Sequence, residues 1–242
     1  ASLMQSGSQI IVGYANATLS DTYLAVYDYH AETITRMYEQ SYAAYLAADF
    51  TGAGQMQLVV VPPTTQPGAL TILFLQEENA KMKNIQTLPL DERFVNCTNL
   101  SASYSDDAAG LVIDGTFSAG GIASQVLRLQ KNQFVTWPAQ AEVDVPQASL
   151  RFQQALKATD FDGFGSVEVP TKLTVVPTLS NARRFYYVTW QDYLATAETP
   201  RFGVYDAVNG YFMQLPNAWE GQVHLVDGMQ TGSWQVRSKE GN

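Results

Sequence analysis

One decapeptide occurs twice in this chain. Asp49-Phe50-Thr51-Gly52-Ala53-Gly54-Gln55-Met56-Gln57-Leu58 aligns without a gap on Asp160-Phe161-Asp162-Gly163-Phe164-Gly165-Ser166-Val167-Glu168-Val169, 111 residues further on. Each copy follows a small apolar approach, 45–48 and 155–159, and each runs into an apolar stretch that meets proline. Self-similarity at a fixed distance means that one supersecondary unit has been reused, which restricts the fold to repeated architectures. The distance is about twice the length of one four-stranded sheet with its loops. A degenerate middle copy is therefore expected near Asp114-Gly115, within 111–116. Four units of about 55–60 residues, each one propeller-blade sheet, then divide a single domain spanning 1–242 into blades 5–62, 63–115, 116–170 and 171–237.

The rest of the pattern agrees with sheets. Stretches 9–14, 23–29, 70–76, 122–130, 184–191 and 222–227 are short, and many are rich in Val, Ile, Tyr and Phe, which suit a pleated, half-buried surface. Gly, Pro, Asn and Asp punctuate them at Gly52 to Gly54, Pro62-Pro63, Pro67-Gly68, Gly120-Gly121, Asn209-Gly210 and Asp227-Gly228, as hairpins require. The best helical segments, 88–94, 148–156 and 216–220, do not sustain a 3.6-residue period and read as loops or single turns. The expected fold is all-β and β-propeller-like, with about four blades of four-stranded antiparallel sheets forming an open arc or part of a larger propeller. An unclosed arc leaves apolar faces or strand edges, so self-association is expected.

Charge and cysteine content exclude several kinds of chemistry. Fourteen Lys and Arg against 23 Asp and Glu give a net charge of −9, a sign that repels phosphate backbones and argues against nucleic acid as a partner. Cys97 is the sole cysteine, so neither an intrachain disulfide nor a thiolate zinc cluster can form. No apolar run is long enough for a membrane-spanning helix. The first eight residues carry neither a charged nor an apolar signal region, so any secretory signal or lipid anchor is expected outside this sequence.

The pattern Asp160-Phe161-Asp162-Gly163-x-Gly165-x-x-Glu168-Val169-Pro170 resembles the FG-GAP/VCBS-type repeat, a β-propeller blade with a calcium loop between two strands. Together with 184–190 and 209–223 it is similar to the C-terminal portion of VCBS-repeat lipoproteins of unknown function from Gram-positive gut bacteria. That resemblance implies an extracellular or cell-envelope location, attachment through an N-terminal lipid anchor, and calcium held by Asp160, Asp162 and Glu168. Alternate carboxylates around glycine turns suit a hard cation. The cage is eroded here, because Phe164 replaces the third aspartate of the pattern, and Thr51 and Ala53 replace two acids in the first copy. The expectation is therefore no cofactor, with the aspartates accepting backbone N–H bonds inside their turns.

No catalytic constellation emerges. His30 reads as a hairpin-tip residue, His224 as a strand residue and Cys97 as a buried thiol, while Glu77-Glu78 and Asp106-Asp107 read as solvated loops. Among 28 aromatic residues, Trp137, Trp190, Trp219 and Trp234 are candidates for stacking on a ligand, against the alternative that they wedge neighbouring sheets together. The expected function is non-catalytic binding of a protein or glycan at the cell surface. The alternatives are a carbohydrate-binding or glycan-processing domain and a structural spacer of the envelope.

Overall fold

The computed structural model describes residues 3, 8–18, 21–79, 81–139, 142–153, 155–176, 184–195, 200–230 and 233–239. They fold into successive antiparallel sheets. The first contains β1 (Ser8–Ala15), β2 (Thr22–His30) and β3 (Thr33–Ser41). The second contains β4 (Ala44–Ala48), β5 (Gln57–Val61), β6 (Thr71–Glu78) and β7 (Lys81–Pro89). The third contains β8 (Phe94–Ser105), β9 (Ala108–Phe117), β10 (Ile122–Gln130) and β11 (Gln133–Thr136), and the fourth β12 (Glu168–Val175), β13 (Phe185–Asp192), β14 (Arg201–Asp206) and β15 (Tyr211–Gln214). β16 (Val223–Asp227) and β17 (Trp234–Ser238) pair as a two-stranded fifth sheet. This is an all-β, propeller-like chain of four-stranded sheets with partial sheets at its ends.

Tight hairpins set the registers. At Ala31-Glu32 (φ 47° and 62°) and Lys131-Asn132 (φ 50° and 62°) both central residues are left-handed, the geometry that matches the twist of the strands they join. His30 therefore sits at a hairpin tip, paired with Thr33. Among the described residues, helix is confined to one turn, α1 (Val145–Ala148), capped by Asp144, and a 3₁₀ turn at Asn217–Trp219.

The core is a series of layers between neighbouring sheets. Leu24 and Val26 meet Leu58, Val60 and Leu75 between the first and second sheets. Val59, Ile72 and Phe74 meet Leu111, Ile113 and Leu127 between the second and third. Val112 and Val126 meet Val167 and Val169 between the third and fourth, and Phe202 and Val204 meet Val223 and Leu225 between the fourth and fifth. All five residues of β5 are buried because that strand has a sheet on both sides. Among the described residues no cluster joins the fifth sheet to the first.

The blade limits differ from those expected. The division at 62/63 separates β5 from β6 of one sheet, and those at 115/116 and 170/171 fall inside β9 and β12. The cause is the turn used to place them: the Asp-Gly loop joins the first two strands of a sheet, 48 to 57 in the second, and does not separate sheets. Asp114-Gly115 is not a turn at all. Asp114 lies fully buried in mid-strand, where its Oδ1 accepts from Arg151 Nη2 at 2.9 Å and Ser124 Oγ at 2.6 Å, and its Oδ2 from the Ala158 N–H at 2.9 Å.

Candidate functional site

The two repeat loops have one construction. In the first, Asp49 Oδ1 accepts from Gly52 N at 2.9 Å and Oδ2 from Gly54 N at 2.7 Å. In the second, Asp160 Oδ1 accepts from Gly163 N at 2.7 Å and Oδ2 from Gly165 N at 2.9 Å. The four glycines lie at φ between 70° and 92°, where a Cβ is strained. At the base of each loop a strand side chain accepts from the residue after the aspartate: Phe50 N to Gln57 Oε1 at 2.9 Å, and Phe161 N to Glu168 Oε2 at 3.3 Å. The Thr159–Glu168 bridge repeats the pairing of Ala48 with Gln57, so a vestigial strand precedes the second loop.

The second loop is where chemistry gathers. Asp160, Asp162 and Glu168 bring carboxylate oxygens within 4.8 Å of one another. A cation is already supplied there by the protein itself. Arg201, from β14, bonds Asp162 Oδ2 through Nη1, lies 3.9 Å from Glu168 Oε1, and stacks over the Phe161 ring at 5.3 Å. Burial pushes Glu168 up to about 7, with the Asp162 charge adding to the rise while the Phe161 N–H and Arg201 oppose it. For Asp162, burial opposes ionisation, but the Phe164 N–H and Arg201 outweigh it and hold the carboxyl below its ordinary range. Both Asp160 oxygens are spent on glycine N–H groups, and Phe164 points outward, 83% exposed. These residues do not fit calcium: the donors are engaged, and a guanidinium stands among them.

The first loop keeps its shape with fewer charges. Thr51 and Gln57 stand where the second has Asp162 and Glu168, so the additional acids and Arg201 belong together. Arg201, 33 residues downstream of Glu168, carries no local sequence signal for this role. The signal legible in the sequence was the neutral residues at the matching positions of the first copy.

The tryptophans are divided by burial. Trp190, 3% exposed, is enclosed with Phe161 and Phe212 at centroid distances of 5.2 and 5.9 Å, so its faces are taken. Trp137 donates through Nε1 to Tyr193 O at 2.8 Å and lies beneath Arg128, joining the third sheet to the fourth. Trp234 packs edge-on to Phe185. Trp219, 41% exposed on its 3₁₀ turn, keeps a free surface. The four do not converge on one site.

Other candidate groups serve structure. Cys97 is buried in β8, and burial pushes its thiol up to about 12, far from a thiolate nucleophile. Glu78 pairs with Lys83 at the β6–β7 hairpin and Asp107 with Arg128 at 3.4 Å. His224 is half-buried in β16, opposite Arg237. A groove of about 630 Å³ runs along Pro89, Leu90, Asp91, Glu92, Arg93, Thr136 and Asp144. Arg93 clamps two of its acids there, bonding Asp91 Oδ2 and Asp144 Oδ1 at 2.7 Å each.

No family model and no curated protein matches the chain. Among solved structures it is similar to TolB from Acinetobacter baumannii, at 14% identity and a TM-score of 0.33, covering 96% of this chain and 61% of that one. The chain thus spans less than two thirds of that protein's length. A likeness of this degree says nothing of activity or partners.

Proposed function

We propose that this chain is a non-catalytic interaction module, built from eroded FG-GAP/VCBS-type repeats and working at the outside of the cell. Its kinship with those repeats is supported by the paired loops, whose hydrogen bonds coincide group for group. The observation that carries the interaction reading is the uncovered face of the first sheet, where Ile10, Val12, Tyr14, Tyr23, Tyr29 and Ile34 are all exposed. Exposed apolar faces of this kind mark contact surfaces. The carboxylates of the second loop instead hold its fold together, and Trp190 packs inside while Trp137 and Trp234 are half-buried against neighbouring residues.

The test is a panel of polysaccharides and chromogenic glycosides assayed for turnover, together with a glycan array. The expected result is no turnover and no retained glycan. Hydrolysis that disappears in Asp162→Asn or Glu168→Gln would replace this reading with glycan processing, and array binding abolished by Trp219→Ala would replace it with carbohydrate recognition.

A further inference from the structure

The first sheet has two faces of opposite fate. On one, Ile11, Leu24, Val26 and Tyr38 pack against the second sheet. On the other, the register aligns Ile10 with Tyr27, Val12 with Ala25, Tyr14 with Tyr23, and Tyr29 with Ile34. On this second face Ala25 is buried and Tyr27 half-buried, while Ile10, Val12, Tyr14, Tyr23, Tyr29 and Ile34 are exposed, from 37% at Tyr23 to 62% at Ile34.

The repeat shows what such a face is made for. Leu3 N donates to Gln9 Oε1 at 2.8 Å, the same contact that Phe50 makes with Gln57 and Phe161 with Glu168. Gln9 is thereby equivalent to Gln57 and Glu168. It follows that Ile10 corresponds to Leu58 and Val169, and Val12 to Val60 and Thr171. Leu58, Val60 and Val169 are fully buried and Thr171 is 6% exposed, whereas Ile10 and Val12 are 48% and 38% exposed. Leu58 and Val60 are covered by the first sheet, and Val169 by the third. In each resolved instance the face is closed by another β-sheet.

We infer that the outer face of the first sheet docks against the same face of a second copy of this chain, sheet upon sheet about a two-fold axis. This names the partner for the interaction reading above and rests on it. The other end of the chain is not a match. The fifth sheet turns His224, Val226, Gln235 and Arg237 outward, and a head-to-tail contact would bury an arginine and an imidazole against Ile, Val and Tyr. The first face complements itself. Its charged pair, Arg36 with Glu39, is neutralised within one copy, and the large exposed side chains around it are apolar or phenolic, with serines only beside Tyr23 and Tyr29. With side-chain areas of about 150–250 Å², the exposed fractions amount to roughly 500 Å² per copy, and a two-fold contact of roughly 1,000 Å² reaches the lower bound for a specific interface. Two bodies of charge −9 repel each other, so added salt should strengthen the association.

Multi-angle light scattering and sedimentation across a concentration series test this. The expected result is a monomer–dimer equilibrium with a dissociation constant at or below about 100 μM, tightening between low and moderate salt. Ile10→Lys and Ile34→Lys, each at an exposed position, should weaken it at least tenfold while leaving the melting curve and circular dichroism unchanged. Val135→Lys, exposed on β11, should leave it intact. A wild-type chain that stays monomeric above about 100 μM, a dimer indifferent to both lysine variants, or open-ended oligomers would overturn the inference. A monomer would leave the non-catalytic reading standing, whereas glycan turnover by a dimer would defeat that reading alone.

Discussion

Replacing Asp114 by Asn tests what the middle of the chain depends on. Arg151 and Asp114 are 2% and 0% exposed, with a 2.9 Å contact between them. The guanidinium also donates to Ser124 Oγ at 3.1 Å, Ser149 O at 3.0 Å and Leu156 O, so its position is fixed by four acceptors on three segments. Burial lowers the Arg151 pKa and the Asp114 charge works against that drop, so the ionised arginine relies on its partner. An asparagine keeps the shape but turns an amide donor toward either Arg151 or the Ala158 N–H. Breaking one side of a buried ion pair costs about 3–5 kcal/mol, a large share of the 5–15 kcal/mol that holds a typical domain together. Urea denaturation should show that loss, and hydrogen exchange at the Ala158 amide should accelerate. Arg151→Met alone should cost a similar amount. The double variant should fall at least about 2 kcal/mol short of the sum, because the second change removes a group already without its partner. A loss below about 1 kcal/mol for Asp114→Asn, or additive single effects, would refute the argument.

Glu168 makes stability pH-dependent: with its folded value raised from 4.5 to about 7, its contribution is full below about pH 4.5 and is lost as pH rises through 7. Glu168→Gln, which imitates Gln57, should raise the melting temperature at pH 8 and leave it unchanged at pH 4; parallel curves for both proteins over that range would contradict this. Calorimetry should find no calcium binding to the wild type tighter than about millimolar, whereas Arg201→Gln, which frees Asp162 and Glu168, should gain measurable heat; a micromolar wild-type isotherm lost in Asp162→Ala would reverse the assignment. Gly163→Ala has open space for its Cβ and φ at 79°, so it should cost about 1 kcal/mol from backbone strain alone. Gly203→Ala should cost more, because its Cβ would clash with Met213 O and the Phe212 ring; equal denaturation midpoints for these two would disprove the distinction.

Strand positions were legible because side-chain alternation and turn residues are local properties: 122–130 coincides with β10, and 23–29 lies within β2. The repeat loops were legible for the same reason, since a carboxylate and two left-handed glycines specify the turn by themselves. Asp114-Gly115 misled because Asp-Gly is a turn signal only when the aspartate is solvated, and its partner here lies 37 residues downstream. Arg201 was missed on the same grounds: a guanidinium that serves as a loop's counter-ion looks, in sequence, like any surface charge. The alternating Ile10, Val12 and Tyr14 read like the first positions of a covered strand, and pattern alone does not tell whether a covering sheet exists.

The layered core has a kinetic consequence. Four hydrophobic clusters each join one pair of neighbouring sheets, and a fifth lies on the fourth sheet and the segment before it, so loss of a terminal sheet removes one layer and leaves the next intact, as in a stack governed by nearest-neighbour coupling. The two-stranded fifth sheet, held through Val223 and Leu225, is the weakest link in that order. Amide exchange should therefore be graded along the chain, fastest in β16 and β17 and slowest in β5 and β9. Opening would proceed as a zipper from the C-terminal side, and a protease would release that end as a discrete fragment before the central sheets yield.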